Sequence, residues 1–251
     1  MGDTPLWFAV IVLGLLAGRL CVWVASWLPA VLAEQWQRDA RELLGANAVP
    51  TGGRQSAGNP GSDVWKVQVT CAALSLVVSV VFGATPQALF ALLFTWWLLA
   101  LSLIDKEHYL LPDALVIPGL WSGLMLNSLE VFTTLQEALW GCVIGYLSLW
   151  SVCYMTKFMT GREHLGTGDF KLLALIGAWG GWQILPWTVG CALLLASVAS
   201  GYLSLRGRLL RNSTIPFGPF LSMAGWMGLL ATHQCQIVIM LGGSAIFDRP
   251  I

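Results

Sequence analysis

The stretch GREHLGTGDFKLLALIGAWGGW, residues 161–182, sets an acid, Asp169, between two nearby glycines and a long apolar run, with Lys171 two positions further on. A carboxylate at the mouth of a hydrophobic segment is ordinary at a soluble surface and costly in a membrane, so its surroundings decide the fold. Those surroundings are 57% hydrophobic and 10% charged, with fourteen tryptophans among 251 residues, and the mean hydropathy is +0.72. Such a composition predicts an all-α, polytopic membrane protein.

Apolar segments long enough to span a bilayer fall near residues 6–28, 65–83, 87–104, 114–131, 138–156, 169–184, 187–205 and 216–240, which predicts about eight transmembrane helices. No basic run precedes the first of these, so it reads as a retained helix and not as a cleaved signal. Between the segments, basic residues gather on alternate connections: Arg38, Arg41 and Arg54, then Lys106, then Lys157 and Arg162, then Arg206, Arg208 and Arg211. By the positive-inside rule those connections are cytoplasmic and both termini lie outside. The first connection has two textures: AVLAEQWQRDARELLG, residues 30–45, is a charged amphipathic helix, and the Gly- and Pro-rich residues 46–63 read as a flexible linker. The chain therefore divides into a first helix with a short cytoplasmic loop, 1–64, and a larger membrane domain, 65–251.

Several function classes drop out. The formal charge is zero, so no nucleic-acid partner is expected; membrane lipid is the surrounding partner. Six cysteines are scattered and never form C-x-x-C, and the three histidines are dispersed, so neither a disulfide framework nor a metal site is expected, zinc included. Tryptophans at segment ends, such as Trp96, Trp97, Trp121, Trp182 and Trp187, read as interfacial belts.

Three acids stand at segment ends. The alternating topology places Asp105, closing the third segment, at the same membrane face as Asp169, opening the sixth, and Asp113, opening the fourth. Asp113 and Asp169 stand where N-caps belong, which is their simplest explanation. Asp105 closes a helix, where the macrodipole disfavours an anion, so capping does not explain it. Two neighbouring carboxylates resist joint ionisation and share a proton, so that one takes a proton from water while the other gives one to a scissile carbonyl. Gly166 and Gly168 would let the backbone approach an extended peptide. Two other readings stay open: a proton or cation carrier built on paired aspartates, and a non-catalytic homologue acting in assembly.

The ordered motifs LIDKEHYLLPD, WSGLMLN, GCVIGYLSLW, GTGDFKLLALIGAWGGWQILP and IPFGPFL, spread over roughly residues 98–230, resemble those of the type IV prepilin leader peptidases, polytopic aspartyl proteases of the GxGD class. The resemblance implies that Asp105 and Asp169 are the catalytic pair. It implies substrate contacts around Gly166, Gly168, Asp113, Lys171, Pro216 and Gly218. It further implies cleavage of the short basic leader of prepilins, or of the pseudopilins of type II secretion, after a glycine, at the cytoplasmic face of the bacterial inner membrane. The new N-terminus would then be N-methylated from S-adenosylmethionine. The N-terminal region departs from this pattern: GRLCVWVASWLP has Val22 where asparagine is expected and Trp27 where arginine is expected, and the cysteine-bearing loop that binds zinc in the family is missing. Zinc binding is therefore not carried over, and methylation is left open.

Overall fold

The computed structural model describes residues 4–44, 64–160, 166–206 and 216–247. Among the described residues there is no strand; there are eight α-helices and one 3-10 turn. In chain order they are α1 (Thr4–Leu44), α2 (Val64–Phe82), α3 (Pro86–His108), α4 (Asp113–Asn127), α5 (Leu135–Thr160), α6 (Thr167–Gly180), α7 (Leu185–Leu205) and α8 (Gly218–Phe247), with the 3-10 turn at Trp182–Ile184 before α7. Among the described residues, five stretches are long and apolar enough to cross a membrane: Trp7–Asp39, Val64–Phe82, Pro86–His108, Leu135–Met159 and Trp182–Leu205. The protein is a multi-pass membrane protein, and its helices follow the expected order. The linker reading of residues 46–63, and His164, lie outside the described residues.

The chain forms two compact units, Met1–Val77 and Val78–Ile251. In the first, α1 packs on α2 through small residues: a Cβ on Gly14 would stand 2.7 Å from Ala72 Cα, and one on Gly18 would stand 2.7 Å from Gln68 Cα. Small residues of this kind let helices approach closely where lipid supplies no hydrophobic drive. Phe8, Leu16, Trp23 and Trp27 face outward. The sequence reading separated a span at 6–28 from an amphipathic helix at 30–45. The structure instead runs both as one 41-residue helix with Pro29 inside it. A proline forfeits one backbone hydrogen bond and kinks a helix, but good helix formers on both sides carry the ladder across it. The exposed Glu34 and Arg38, 3.8 Å apart, form an i,i+4 pair on its polar end.

The second unit is organised around α6, which is in contact with α4, α5 and α8. From Asp169 to Gly180 all its residues except Lys171 are buried, an apolar-all-round pattern that belongs to a helix enclosed by others. At 14 residues it is about 21 Å long, short of the ~30 Å hydrocarbon core. It stops at Gly181, whose φ of 79° an L side chain rarely adopts. The expected segment 169–184 is thus a shorter helix followed by a turn. α5 lies against α6 almost backbone to backbone, for a Cβ on Gly145 would come within 2.8 Å of the Leu173 carbonyl oxygen, and Gly141 and Gly177 face one another more closely still.

The far end of α6 is held by one side chain. Asn127, wholly buried at the C-terminus of α4, donates through Nδ2 to the carbonyls of Ala178 (2.8 Å) and Trp179 (3.0 Å). Its Oδ1 accepts from the backbone N–H of Phe132 (3.1 Å) and of Thr133 (3.3 Å). The last carbonyls of α6 have no intrahelical donor, and Asn127 supplies one. This is also why α4 stops at Asn127 and not near residue 131: the side chain turns the chain back on itself. Trp179 Nε1 donates to Gly119 O at 2.8 Å and Trp97 Nε1 to Leu115 O at 3.0 Å, so Trp97 is a bundle contact and not a belt residue. Trp121, Trp182 and Trp187 remain exposed.

Candidate functional site

The opposite end of α6 carries the acids. Asp105 sits in the last turn of α3, whose end is fixed by Tyr109 in the left-handed region (φ 52°) donating its N–H to Asp105 O at 2.9 Å. Asp169 sits in the first turn of α6, three residues after the N-cap Gly166. Both are 7% exposed and lie within electrostatic range of one another. The structure therefore brings together the two aspartates that the topology placed at one face. Unpaired buried carboxylates are expensive, and a pair of them more so.

Asp105 has a specific donor. The backbone N–H of Gly218, at the start of α8, donates to its Oδ2 at 3.0 Å. The anion-disfavouring end of α3 is thus met by the anion-favouring end of another helix. The approach requires glycine, because a Cβ at 218 would stand 2.6 Å from that same oxygen. The resemblance implies substrate contacts around Pro216 and Gly218; the bond from 218 to 105 shows that the N–H of Gly218 serves Asp105.

Capping does not account for the other acids. The N-caps of α4 and α6 are Pro112 and Gly166, and neither helix has a side-chain cap bond. Asp113, first residue of α4, instead takes Lys171 Nζ on both oxygens, at 2.6 and 2.8 Å. The side chains are 34% (Lys171) and 55% (Asp113) exposed, and pairs so wetted contribute about 0.2–1 kcal/mol. Gly168 meets the connection between α3 and α4: a Cβ on it would come 2.8 Å from Leu111 Cβ. Gly166 is exposed, and a Cβ there would have Asp169 Oδ2 as its nearest neighbour at 3.9 Å. One glycine is required by packing, and the other leaves open space beside a carboxyl.

Among the described residues no three His, Cys, Asp or Glu side chains gather as a metal site. Among the described residues, Cys21, Cys71, Cys142, Cys153 and Cys191 form no disulfide. An apolar groove of about 450 Å³ runs between α4, α5 and α6, lined by Val116, Leu120, Cys142, Tyr146 and Ala174, with Lys171 its one charged residue.

A helical multi-pass membrane protein that buries two carboxyl groups at one end of its bundle is the class these observations define. Residues 92–205, which include both aspartates, match the model of the type IV leader peptidase family. The chain is 41% identical to the prepilin leader peptidase/N-methyltransferase of Stutzerimonas stutzeri over 276 aligned positions, covering 93% of this chain and 94% of that protein. It is 42% identical to the protein of that name from Pseudomonas aeruginosa, again over 93% and 94%. With the Aeromonas hydrophila protein of that name it shares 46% over 65% of this chain and 57% of the relative. No solved structure matches the chain. The chain belongs to the type IV leader peptidase family.

Proposed function

We propose that this protein is a prepilin leader peptidase that cleaves the short basic leader of type IV prepilins, or of type II secretion pseudopilins, with Asp105 and Asp169 as its catalytic pair. The observation that carries this reading is the burial of those two carboxyls within electrostatic range of one another at one end of the bundle, with Asp105 held by Gly218 N–H. The names of the relatives support the substrate class. The distribution of Lys and Arg supports a cytoplasmic position for this end, and the names of the relatives support the bacterial inner membrane as the site of action.

In this mechanism the pair holds one proton between them. One carboxylate takes a proton from a water molecule as that water adds to the leader's scissile carbonyl carbon; the other carboxyl gives its proton to the carbonyl oxygen. Collapse of the tetrahedral species breaks the C–N bond, the amine leaves with a proton, and the pair returns to its starting state. The open space at Gly166 admits the extended peptide, and the packed Gly168 keeps Asp169 turned inward. Pro216 and Gly218 hold the start of α8 against Asp105, beside the path of the substrate.

Methylation of the new N-terminus would need S-adenosylmethionine. The groove described above does not fit it: apart from Lys171, a cation that would repel the sulfonium, its lining offers little to hold a polar donor. The test of the peptidase is cleavage of a purified prepilin by the protein in proteoliposomes. Loss of cleavage in both Asp105→Asn and Asp169→Asn supports the pair, and undiminished cleavage in either removes it.

A further inference from the structure

We infer that Asp113 and Lys171 form a positioning clamp that seats the α3–α4 connection on α6 and so fixes Asp105 against Asp169; this rests on the peptidase reading. The connection, residues 109–112, leaves α3 immediately after Asp105's own turn, since the Asp105 carbonyl accepts the Tyr109 N–H at 2.9 Å. It then touches α6 at two points that bracket Asp169. Leu111, 8% exposed, lies where a Cβ on Gly168 would be, at 2.8 Å from its Cβ and 3.1 Å from its Cδ1. Two residues on, Asp113 grips Lys171 with both carboxylate oxygens.

Residues 168 and 171, one before and two after Asp169, are thus both pinned to the short stretch 111–113, which follows the last turn of α3 that carries Asp105. An ion pair that joins residues 58 positions apart gains little stability where half of it is in water. Its use is geometric: it stops the connection from lifting off Gly168, and with it stops α3 and α6 from sliding at their carboxylate ends. Both oxygens of Asp113 are engaged by Lys171, so although the pair is partly wetted its charges are turned on each other and not on a peptide. Lys171 is on this account a positioning residue, acting through the connection on the two aspartates.

The test uses full-length protein in membranes with two readouts. The first is the rate at which a water-soluble maleimide labels a Leu111→Cys variant, read by peptide mass, which needs no substrate. The second is the kcat and KM of prepilin cleavage. Lys171→Ala is expected to expose position 111, raising labelling about tenfold, and to lower kcat about tenfold with KM nearly unchanged, since misplacement of reacting groups acts on the chemical step. The reversed pair, Asp113→Lys with Lys171→Asp, is expected to regain protection and part of kcat. Unchanged labelling in Lys171→Ala, or a reversed pair labelled as fast as Lys171→Ala, overturns the clamp; a raised KM with kcat intact would make Lys171 a substrate contact instead. If the parent protein cleaves no prepilin, the peptidase reading fails while the labelling arm still decides whether the clamp exists.

Discussion

Gly218 gives its backbone N–H to the carboxylate of Asp105 at 3.0 Å, joining the first turn of one helix to the last turn of another across 113 positions of sequence. That bond explains why an acid survives at the anion-disfavouring end of α3, and why the residue facing it has no side chain. Gly218→Ala is accordingly expected to leave the helices formed and to push the Asp105 carboxyl off its donor. Leader cleavage should fall about 10- to 100-fold, as displacement by about an ångström does elsewhere. Rates measured beside a thermal melt separate this from unfolding.

The two aspartates should behave as one unit. Asp105→Asn and Asp169→Asn are each expected to lower cleavage at least about a thousandfold, and the double variant no further, because groups that share one step are not additive. Single-turnover rates of the three variants check this; a double variant whose loss is the product of the singles would mean independent roles.

How far the site could be read from the sequence depends on distance along the chain. The placement of Asp105 and Asp169 at one face followed from counting apolar segments and basic connections, because each acid is tied to the end of its own helix. The donor to Asp105 did not follow, since Gly218 is brought there by the packing of α8, which no local pattern encodes. The capping reading of Asp113 failed for a related reason: a cap is a local bond, and the better partner, Lys171, lies 58 residues away. The division between a span at 6–28 and a helix at 30–45 fails in the other direction, because the helix continues through Pro29.

Asn127 is the clearest case of what a single sequence conceals, because an asparagine at a helix end reads as a turn residue and its partners include carbonyls 51 and 52 positions away. Substituting Asn127→Leu should leave two terminal carbonyls of α6 and two N–H groups of the turn without partners. The expected loss is about 2–4 kcal/mol of stability, by the penalty for unsatisfied buried groups. Thermal unfolding in detergent reads it, and cleavage per folded molecule should change little, since Asn127 stands at the other end of α6 from the acids.

The contact between α5 and α6 admits no side chain. Gly177→Val would drive a Cβ into the backbone of α5 at Gly141, and the expected outcome is a protein that inserts poorly or is degraded. Its steady-state amount in membranes, by immunoblot, should drop several-fold. Gly190→Ala, where a Cβ meets nothing within 4 Å, serves as the tolerated control.

Whether this chain removes prepilin leaders with Asp105 and Asp169 is decided by the intact mass of a prepilin co-expressed with it in cells without their own leader peptidase. A product lighter by its leader, absent when Asp169→Asn is expressed at the same level, is the predicted result, and one additional methyl in the same spectrum would report N-methylation. A full-length precursor beside the intact protein, or a processed product that persists with Asp169→Asn, would contradict it.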